Sequence, residues 1–301
     1  MPEWDPEVEV DAERARHLIA GQFPELRGAS ISELAAGWDN VVFVVDERWA
    51  FRFPRRAIAV PGVGREIEVL GRLAGHLPLL IPRPTWVGAP DGEYPWPWFG
   101  APLLPGVELA EARLPDRDRR AAGEAIGAFL HALHAPRVAR LVGGSLPIDP
   151  NRRADMALRV RLARRRISDA ADAGLWTPSP AVGSLLDEAS ALPPPPRTTV
   201  LHGDLHMRHV LIDDGAVSGV IDWGDVCIGD PSVDLSIAYG SFTGAARAGF
   251  LDAYGPIDGL TELRARVIAA FLGAALLSYA ADQGLALLED EARRSLDRAA
   301  A

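Results

Sequence analysis

The segment HGDLHMRH, residues 202–209, places three histidines and an aspartate within eight positions between two apolar, β-rich runs. Buried polar side chains cost free energy unless they are paired. Polar groups at this density beside a strand therefore indicate either a satisfied hydrogen-bond network or a reactive site. In the second case, the carboxylate of Asp204 could accept a proton and the imidazoles could bind a metal ion.

The residues that follow predict a β-hairpin that brings a second carboxylate to this segment. Asp-Gly at 214–215 stands between two β-rich runs, which is a strong signal for a two-residue turn. The resulting register would set His209 opposite Val220 and would carry Asp222 beside Asp204. Two carboxylates and a histidine at one end of a hairpin are typical of phosphoryl transfer, which needs a proton acceptor and oxygen ligands for Mg²⁺.

Length and composition describe an ordinary globular protein. The chain has 301 residues, enough for two packed cores or one domain with two lobes, and 48% of them are apolar and 24% charged. Its longest apolar stretch, residues 267–281, is shorter than the roughly 20 residues that a bilayer requires and predicts a buried helix. One cysteine and an acidic N-terminus without a signal pattern favour the cytoplasm, with no membrane partner.

The net charge and the types of basic residue exclude some ligands and some mechanisms. The net charge of −10 argues against nucleic acid, which needs a basic surface, and permits a cationic small molecule. All 31 basic residues are arginine, because the sequence contains no lysine. Any mechanism that requires a catalytic lysine is therefore excluded.

Periodicity gives a coarse map of the elements. Strands are predicted at 41–45 and 49–53, followed by a helix over 61–77. The segment 94–106 contains four prolines and two glycines, which predict an irregular boundary between lobes. From about residue 115 onward the patterns are mainly helical, apart from the hairpin.

Six motifs occur in a fixed order between residues 37 and 235: GWDNVVF, WAFRFPRR, GREIEVL, HGDLHMRHVL, VIDWGD and GDPSVDL. Together they resemble the aminoglycoside phosphotransferase family, whose fold is that of a protein kinase. The resemblance implies an α+β, protein-kinase-like fold with two lobes. Residues 1–100 would form a nucleotide-binding lobe with an antiparallel sheet and one helix. Residues 101–301 would form a mainly helical catalytic and substrate-binding lobe that carries the catalytic hairpin.

The same resemblance assigns roles to the acidic motifs. It implies that Asp204 is the catalytic base and that Asp222 is the principal magnesium ligand. His202 would brace the catalytic loop, and Asp230 and Asp234 would hold the backbone of that loop from the following helix.

Two parts of the predicted site depart from the usual family pattern. His209 stands where most members have an asparagine as second metal ligand, and imidazole is a poor inner ligand for Mg²⁺. His209 could coordinate Mg²⁺ directly, or it could act on the ion through a water or through the triphosphate. The loop that would cover the nucleotide has a single glycine, Gly37. In this loop Trp38 could stack on adenine or on the acceptor. Asp39 and Asn40 could form the turn through their side chains.

The resemblance also implies a phosphate-contacting basic residue in WAFRFPRR and a glutamate in GREIEVL, and periodicity predicts which way the charged side chains of these two elements point. In WAFRF the aromatic residues share one face of a strand, and Arg52 points to the other. In the following helix Glu66 shares a flank with Leu70, whereas Glu68 lies on the far side and can pair with Arg72. An Arg52–Glu66 pair would take the place of the kinase lysine–glutamate pair; an exposed Arg52 on an edge strand is the alternative.

These observations predict a magnesium-dependent phosphotransferase that moves the γ-phosphoryl group of ATP or GTP to a hydroxyl of a small molecule. The acidity favours a cationic acceptor such as an aminoglycoside, and hence antibiotic resistance; a macrolide or a metabolite such as an amino-alcohol or sugar stays open. Two further functions remain possible. One is a zinc hydrolase that uses His202, Asp204, His206 and His209; the other is a pseudokinase that only binds nucleotide.

Overall fold

The structure, a computed structural model, describes residues 6–37 and 39–301. The chain forms two compact units. The first consists of the described residues up to Ala74 together with Leu80–Leu104, and the second of Gly75–Leu79 together with Pro105–Ala301. They are called the first and second unit below.

The first unit is built on an antiparallel five-stranded sheet. Its strands are β1 (Ile31–Ala36), β2 (Asn40–Val45), β3 (Trp49–Pro54), β4 (Trp86–Gly88) and β5 (Trp98–Pro102), and their order in the sheet is β1-β2-β3-β5-β4. Two helices accompany it, α1 (Ala12–Gln22) and α2 (Val60–Leu73). The predicted strands and the helix that follows them are present, although α2 ends four residues earlier than the pattern indicates.

Helix α1 adds to the one helix that the sequence analysis assigned to this region. Asp11 caps it by accepting a hydrogen bond from the backbone N–H of Arg14, at 2.8 Å. Ala15, Leu18 and Ile19 are buried at the helical spacing of i, i+3 and i+4. The sequence prediction omitted this helix, although the cap residue and the apolar spacing are both visible in the sequence.

The prediction of an irregular segment at 94–106 is wrong, because residues within it form strand β5. This strand pairs with β3 on one side and β4 on the other. Pro102 closes the strand and two prolines precede it, so none interrupts its interior. Trp98 is fully buried and stacks on Phe53 with ring centroids 4.8 Å apart. Burial of a large aromatic side chain therefore outweighs the irregular composition.

The second unit contains the remaining strands and helices. The strands are β6 (Val107–Glu108), β7 (Thr199–Leu201), β8 (Val210–Asp213), β9 (Ala216–Val220) and β10 (Cys227–Gly229). They form a three-stranded sheet, β6-β8-β9, and a two-stranded sheet, β10-β7. The helices are α3 (Arg120–Leu133), α4 (Pro136–Val142), α5 (Met156–Asp172), α6 (Pro180–Ala189), α7 (Ser232–Ser241), α8 (Gly244–Tyr254), α9 (Gly259–Gln283) and α10 (Ala286–Ala300). The fold is thus α+β, with an antiparallel sheet in the first unit and a mainly helical second unit.

Helix α9 contains the predicted buried helix. Within the described part of the chain it alone is long and apolar enough to cross a membrane, and 61% of its most apolar window is buried inside the protein. It packs against α5, α7 and α10. This burial is typical of the central helix of a helical core.

A buried ion network joins helix α10 to the start of α3. Glu291 accepts hydrogen bonds from Arg119 at 2.9 Å and from Arg298 at 2.7 Å, and all three side chains are almost completely buried. Arg298 also donates to Asp116 at 2.6 Å. A buried ion pair adds little net stability when complete, but loss of one partner leaves the other charge uncompensated.

We predict that Glu291→Gln lowers the free energy of unfolding by about 3–5 kcal/mol, because two buried guanidinium groups lose their common counter-charge. Asp290→Asn, on the exposed side of the same helix, is the matched control and should change it by less than about 0.5 kcal/mol. Urea denaturation of both variants measures the difference. Equal unfolding midpoints would show that the network is not required for stability.

Candidate active site

The hairpin of strands β8 and β9 turns at Asp214 and Gly215, as the sequence predicts. Both residues have positive φ angles, 46° and 77°, which a type I′ turn requires. Next to the turn, Asp213 pairs with Ala216. The turn therefore fixes the register of the hairpin at its tip.

Farther from the tip, the predicted register is wrong by one residue. A β-bulge leaves Ser218 as an extra residue in β9, so Val210, and not His209, pairs with Val220. The hydroxyl of Ser218 donates to the carbonyl oxygen of Pro105 at 2.6 Å, which gives the bulged residue a hydrogen-bond partner. His209 instead meets the next residue, Ile221, whose N–H donates to its carbonyl oxygen at 2.9 Å.

His202 is fully buried and links the loop that follows β7 to the end of β9. Its Nε2 donates to the carbonyl oxygen of Ile221 at 2.9 Å, and its Nδ1 accepts from the backbone N–H of Asp204 at 3.3 Å. Because a carbonyl can only accept, the proton must be on Nε2, and the neutral ring satisfies both bonds. Burial lowers the pKa of His202 below its usual value, which favours this neutral form.

Asp234, at the start of helix α7, holds the backbone of the same loop. Its two carboxylate oxygens accept from the N–H groups of His202 at 2.7 Å and Gly203 at 2.9 Å. Burial opposes its ionisation, but hydrogen bonds from His134, at 3.1 Å, and from the backbone outweigh burial and lower its pKa. Asp230, expected to hold the loop as well, instead accepts a hydrogen bond from the N–H of Ser232, the first residue of helix α7, at 2.8 Å.

His209 contacts both of the carboxylate residues that the sequence analysis singled out. Its Nδ1 lies 2.8 Å from the carbonyl oxygen of Asp204 and must donate to it. Its Nε2 lies 3.5 Å from Oδ2 of Asp222. The structure thus brings Asp204, His209 and Asp222 together, in spite of the shifted register.

The four-residue zinc site considered above is incomplete in this geometry. Both ring nitrogens of His202 are engaged in hydrogen bonds, so it has no free lone pair. Asp204, His206 and His209 have ligand atoms within 4.8 Å of one another. However, Nδ1 of His206 faces the N–H of Arg208 at 3.2 Å, which places the proton of the neutral ring on Nε2. A strong transition-metal site is therefore disfavoured.

Arg153 is a site residue that the sequence analysis missed. Its Nη2 lies 3.2 Å from Oδ1 of Asp204 and 2.8 Å from Oδ2 of Asp225. Burial opposes the charge of Arg153, but the two carboxylates outweigh burial and raise its pKa. Nothing in the segment NRRAD distinguishes Arg153 from Arg152, because the contact spans 51 residues of sequence.

In the first unit, the two charged groups predicted to pair are in contact. Nη1 of Arg52 lies 3.3 Å from Oε1 of Glu66, and the side chains are 16% and 1% exposed. Strand β3, which carries Arg52, lies between β2 and β5, so the alternative of an edge strand is wrong. Glu68 lies on the outer face of α2 and pairs with Arg72 at 3.7 Å, as expected.

The loop between β1 and β2 holds the other residues predicted to bind nucleotide. Trp38 lies outside the described residues. The turn is closed by a backbone hydrogen bond of 2.9 Å, from the N–H of Gly37 to the carbonyl oxygen of Asn40. The carboxylate of Asp39 pairs with Arg56 at 3.0 Å, so its side chain contributes an ion pair rather than forming the turn.

This fold is the one found in kinase-like phosphotransferases of small molecules. Residues 30–267 match the model of the phosphotransferase enzyme family APH, so the chain belongs to that family of enzymes, which transfer phosphoryl groups to hydroxyl acceptors.

Solved structures agree on the fold. The GDP and kanamycin complex of APH(2")-IIia has a TM-score of 0.69 at 21% identity, covering 94% of this chain and 96% of that one. The apoenzyme of macrolide 2'-phosphotransferase MphH from Brachybacterium faecium has a TM-score of 0.60 at 23% identity, covering 94% and 98%. Among curated proteins, the uncharacterized protein YcbJ of Bacillus subtilis (strain 168) is 35% identical over 63 residues, which span about a fifth (21%) of each chain.

The buried, neutral state of His202 predicts a pH-dependent stability. Its folded-state pKa is lowered, so the unfolded chain binds its proton first as the pH falls below about 6.5. The contribution of neutral His202 to the free energy of unfolding is complete above that pH. It is lost by about 1.4 kcal/mol per pH unit as the pH falls toward the folded-state pKa. We predict a smaller pH slope for His202→Gln than for the wild type in urea unfolding between pH 7 and 5. Parallel slopes would contradict this account.

Proposed function

We propose that the protein is a nucleotide-dependent phosphotransferase in which Asp204 accepts the proton of the acceptor hydroxyl. One observation carries this proposal: a single imidazole, that of His209, contacts the backbone of Asp204 and the carboxylate of Asp222. The proton acceptor and a carboxylate suited to a metal ion are therefore held together, as phosphoryl transfer requires.

The side chains of Asp222 and His209 are suited to a magnesium site. Asp222 has a carboxylate whose side chain is 42% exposed, and it adopts a left-handed backbone conformation, with φ 63°, at the end of the hairpin. We infer that Asp222 would hold Mg²⁺ and that His209 would act on Mg²⁺ through a water because Mg²⁺ prefers oxygen ligands, whereas Co²⁺ could take the imidazole nitrogen itself. When bound, the ion would neutralise charge that develops on the transferred phosphoryl group.

The residues around Asp204 suit it to orient an acceptor. Arg153 donates to Oδ1 of Asp204, whereas Oδ2 lies 3.7 Å from Nε2 of His206, beyond hydrogen-bond distance, and can accept from the acceptor hydroxyl. His202 and Asp234 fix the backbone on either side of Gly203. A proton acceptor held in this way can align the hydroxyl for in-line attack.

In the first unit, we infer that Arg52 contacts the phosphates of the donor and that Glu66 orients it. A guanidinium can donate two parallel hydrogen bonds to phosphate oxygens, a geometry that a lysine ammonium does not offer. Trp38, Asp39 and Asn40 would complete the nucleotide-binding loop. Residues 1–100 would accordingly form the nucleotide-binding lobe, and residues 101–301 the catalytic and substrate-binding lobe.

For the donor and acceptor, related structures suggest the candidates to test. GDP is named in two solved complexes of this fold, which makes GTP a candidate beside ATP. Kanamycin is named in one of these complexes, and macrolides in the names of two further enzymes of this fold. We propose an antibiotic or a hydroxylated metabolite as acceptor, in a cytoplasmic reaction. The presence of Asp204 and Asp222 favours catalysis over nucleotide binding alone.

We predict that Asp204→Asn lowers kcat for phosphoryl transfer by about 10²- to 10⁴-fold, because the amide cannot accept the hydroxyl proton. Nucleotide affinity should remain close to that of the wild type. Asp213→Asn, at the exposed tip of the hairpin, is the control and should retain full activity. Transfer is measured from radiolabelled ATP and GTP to a panel of aminoglycosides, macrolides and amino-alcohols. Wild-type rates in Asp204→Asn would remove Asp204 as the base.

A second prediction concerns the metal. His209→Asn supplies an amide oxygen in place of an imidazole nitrogen, so the rate with Mg²⁺ should rise relative to the rate with Co²⁺, which accepts nitrogen ligands well. His206→Asn should leave that ratio unchanged. Steady-state rates at saturating concentrations of each metal measure the ratio. An unchanged ratio in His209→Asn would mean that His209 does not influence the metal.

A further inference from the structure

We propose that the acceptor site beside Asp204 binds an anionic group, a carboxylate or a phosphate, of a hydroxylated acceptor, and that Arg159 is the residue that pairs with it. This inference rests on the proposed function, because it specifies the charge of the acceptor at that same site. It would make a polycationic antibiotic a poor acceptor.

The first observation is a buried cation without a carboxylate partner. Arg159, on helix α5, is 6% exposed, and its Nε donates to the carbonyl oxygen of Arg153 at 3.1 Å. Among residues 6–37 and 39–301, no carboxylate oxygen lies within ion-pair distance of it. Burial and repulsion by Arg153 lower the pKa of Arg159 to about 10, although Asp149, Asp204 and Asp155 attract its charge from beyond ion-pair distance. Buried guanidinium groups are normally paired, so this one suits an incoming anion.

The second observation is that Arg159 and the proposed base border the same space. A small cavity in the second unit is lined by Arg159, Arg153 and Asp204 together with Leu205, Phe271 and Leu272. An anionic group of an acceptor bound at Arg159 would therefore lie close to Asp204. The apolar part of the lining would strengthen an ion pair by excluding water.

The third observation is that the acidic groups beside the base already have a cation. Arg153 pairs with both Asp204 and Asp225, and Asn151 donates to the other oxygen of Asp225 at 3.0 Å. An acceptor ammonium could reach these carboxylates only by displacing Arg153, whose side chain is 17% exposed. Both arginines thus disfavour a cation and favour an anion at this position.

A purely structural role for Arg159 is the alternative that an experiment must exclude. Its guanidinium lies 4.3 Å from the ring centroid of Phe271, which is a favourable cation–π arrangement. Arg166, on the same helix, lies over the same ring at 5.7 Å but is exposed to solvent. Arg166→Met is therefore a matched control for Arg159→Met.

The test uses four open-chain polyols that differ mainly in charge: glucitol, which is neutral, glucamine, a cation, gluconate, a carboxylate, and glucitol 6-phosphate. Dissociation constants are measured by calorimetry on the full chain, and kcat/KM is measured with ATP and GTP. We expect the wild type to favour at least one anion over glucitol, and glucitol over glucamine, by at least about tenfold each. The gluconate and phosphate arms identify which anion is preferred.

In Arg159→Met we expect the preference for the anion to fall by about tenfold or more, whereas Arg166→Met keeps the wild-type ratio. Arg159→Lys retains the charge and should retain the preference, which covers the case in which Arg159→Met does not fold. Equal binding of anionic and neutral polyols by the wild type, or a preference for glucamine, would overturn the proposal. So would an unchanged ratio in a folded Arg159→Met.

The proposed function has a separate readout. Metal-dependent hydrolysis of the nucleotide, with water as acceptor, requires Asp204 but no polyol. If hydrolysis depends on Asp204 and the polyols are not distinguished, the anion site is wrong and the phosphotransferase stands. If neither hydrolysis nor transfer is detected, the proposed function is wrong, and polyol binding alone decides on the anion site.

Discussion

One buried carboxylate, that of Asp234, supports the geometry of the candidate active site. It accepts hydrogen bonds from two consecutive backbone N–H groups, those of His202 and Gly203, and it contacts His134, the residue that follows helix α3. A backbone N–H that is buried without a partner costs about as much as a lost hydrogen bond. The loop therefore keeps its shape only while this carboxylate is ionised and in place.

Gly203 shows why this loop tolerates little variation. Its φ angle is 91°, and a Cβ atom at this position would lie 2.2 Å from the carbonyl oxygen of Asp225. A larger residue would push the loop away from the segment that carries Asp225. That movement would also break the hydrogen bond between the Asp225 carboxylate and Arg153. The positive φ angle of Gly203, its close packing against Asp225 and the ion pair of Asp225 with Arg153 therefore constrain the same short loop.

Sequence patterns predicted the elements whose signals are local. The alternation in WAFRF and the spacing in helix α2 predicted the faces that carry Arg52 and Glu66, and the family resemblance predicted that the two residues pair. Asp214-Gly215 was sufficient for the turn. The bulge at Ser218 was not predictable, because its partner is the carbonyl of Pro105, far away in sequence. Strand β5 and the contact of Arg153 with Asp204 likewise depend on tertiary packing, which propensity and periodicity do not encode.

The absence of lysine from the sequence has a practical consequence for detecting this enzyme. Nucleotide-binding enzymes are often surveyed with acylating reagents that modify a primary amine near the bound phosphates. A guanidinium stays protonated at all physiological pH values and is a very weak nucleophile. A chain without lysine offers such reagents no side-chain amine, so a proteome surveyed by amine acylation would miss this phosphotransferase even when it is abundant and folded.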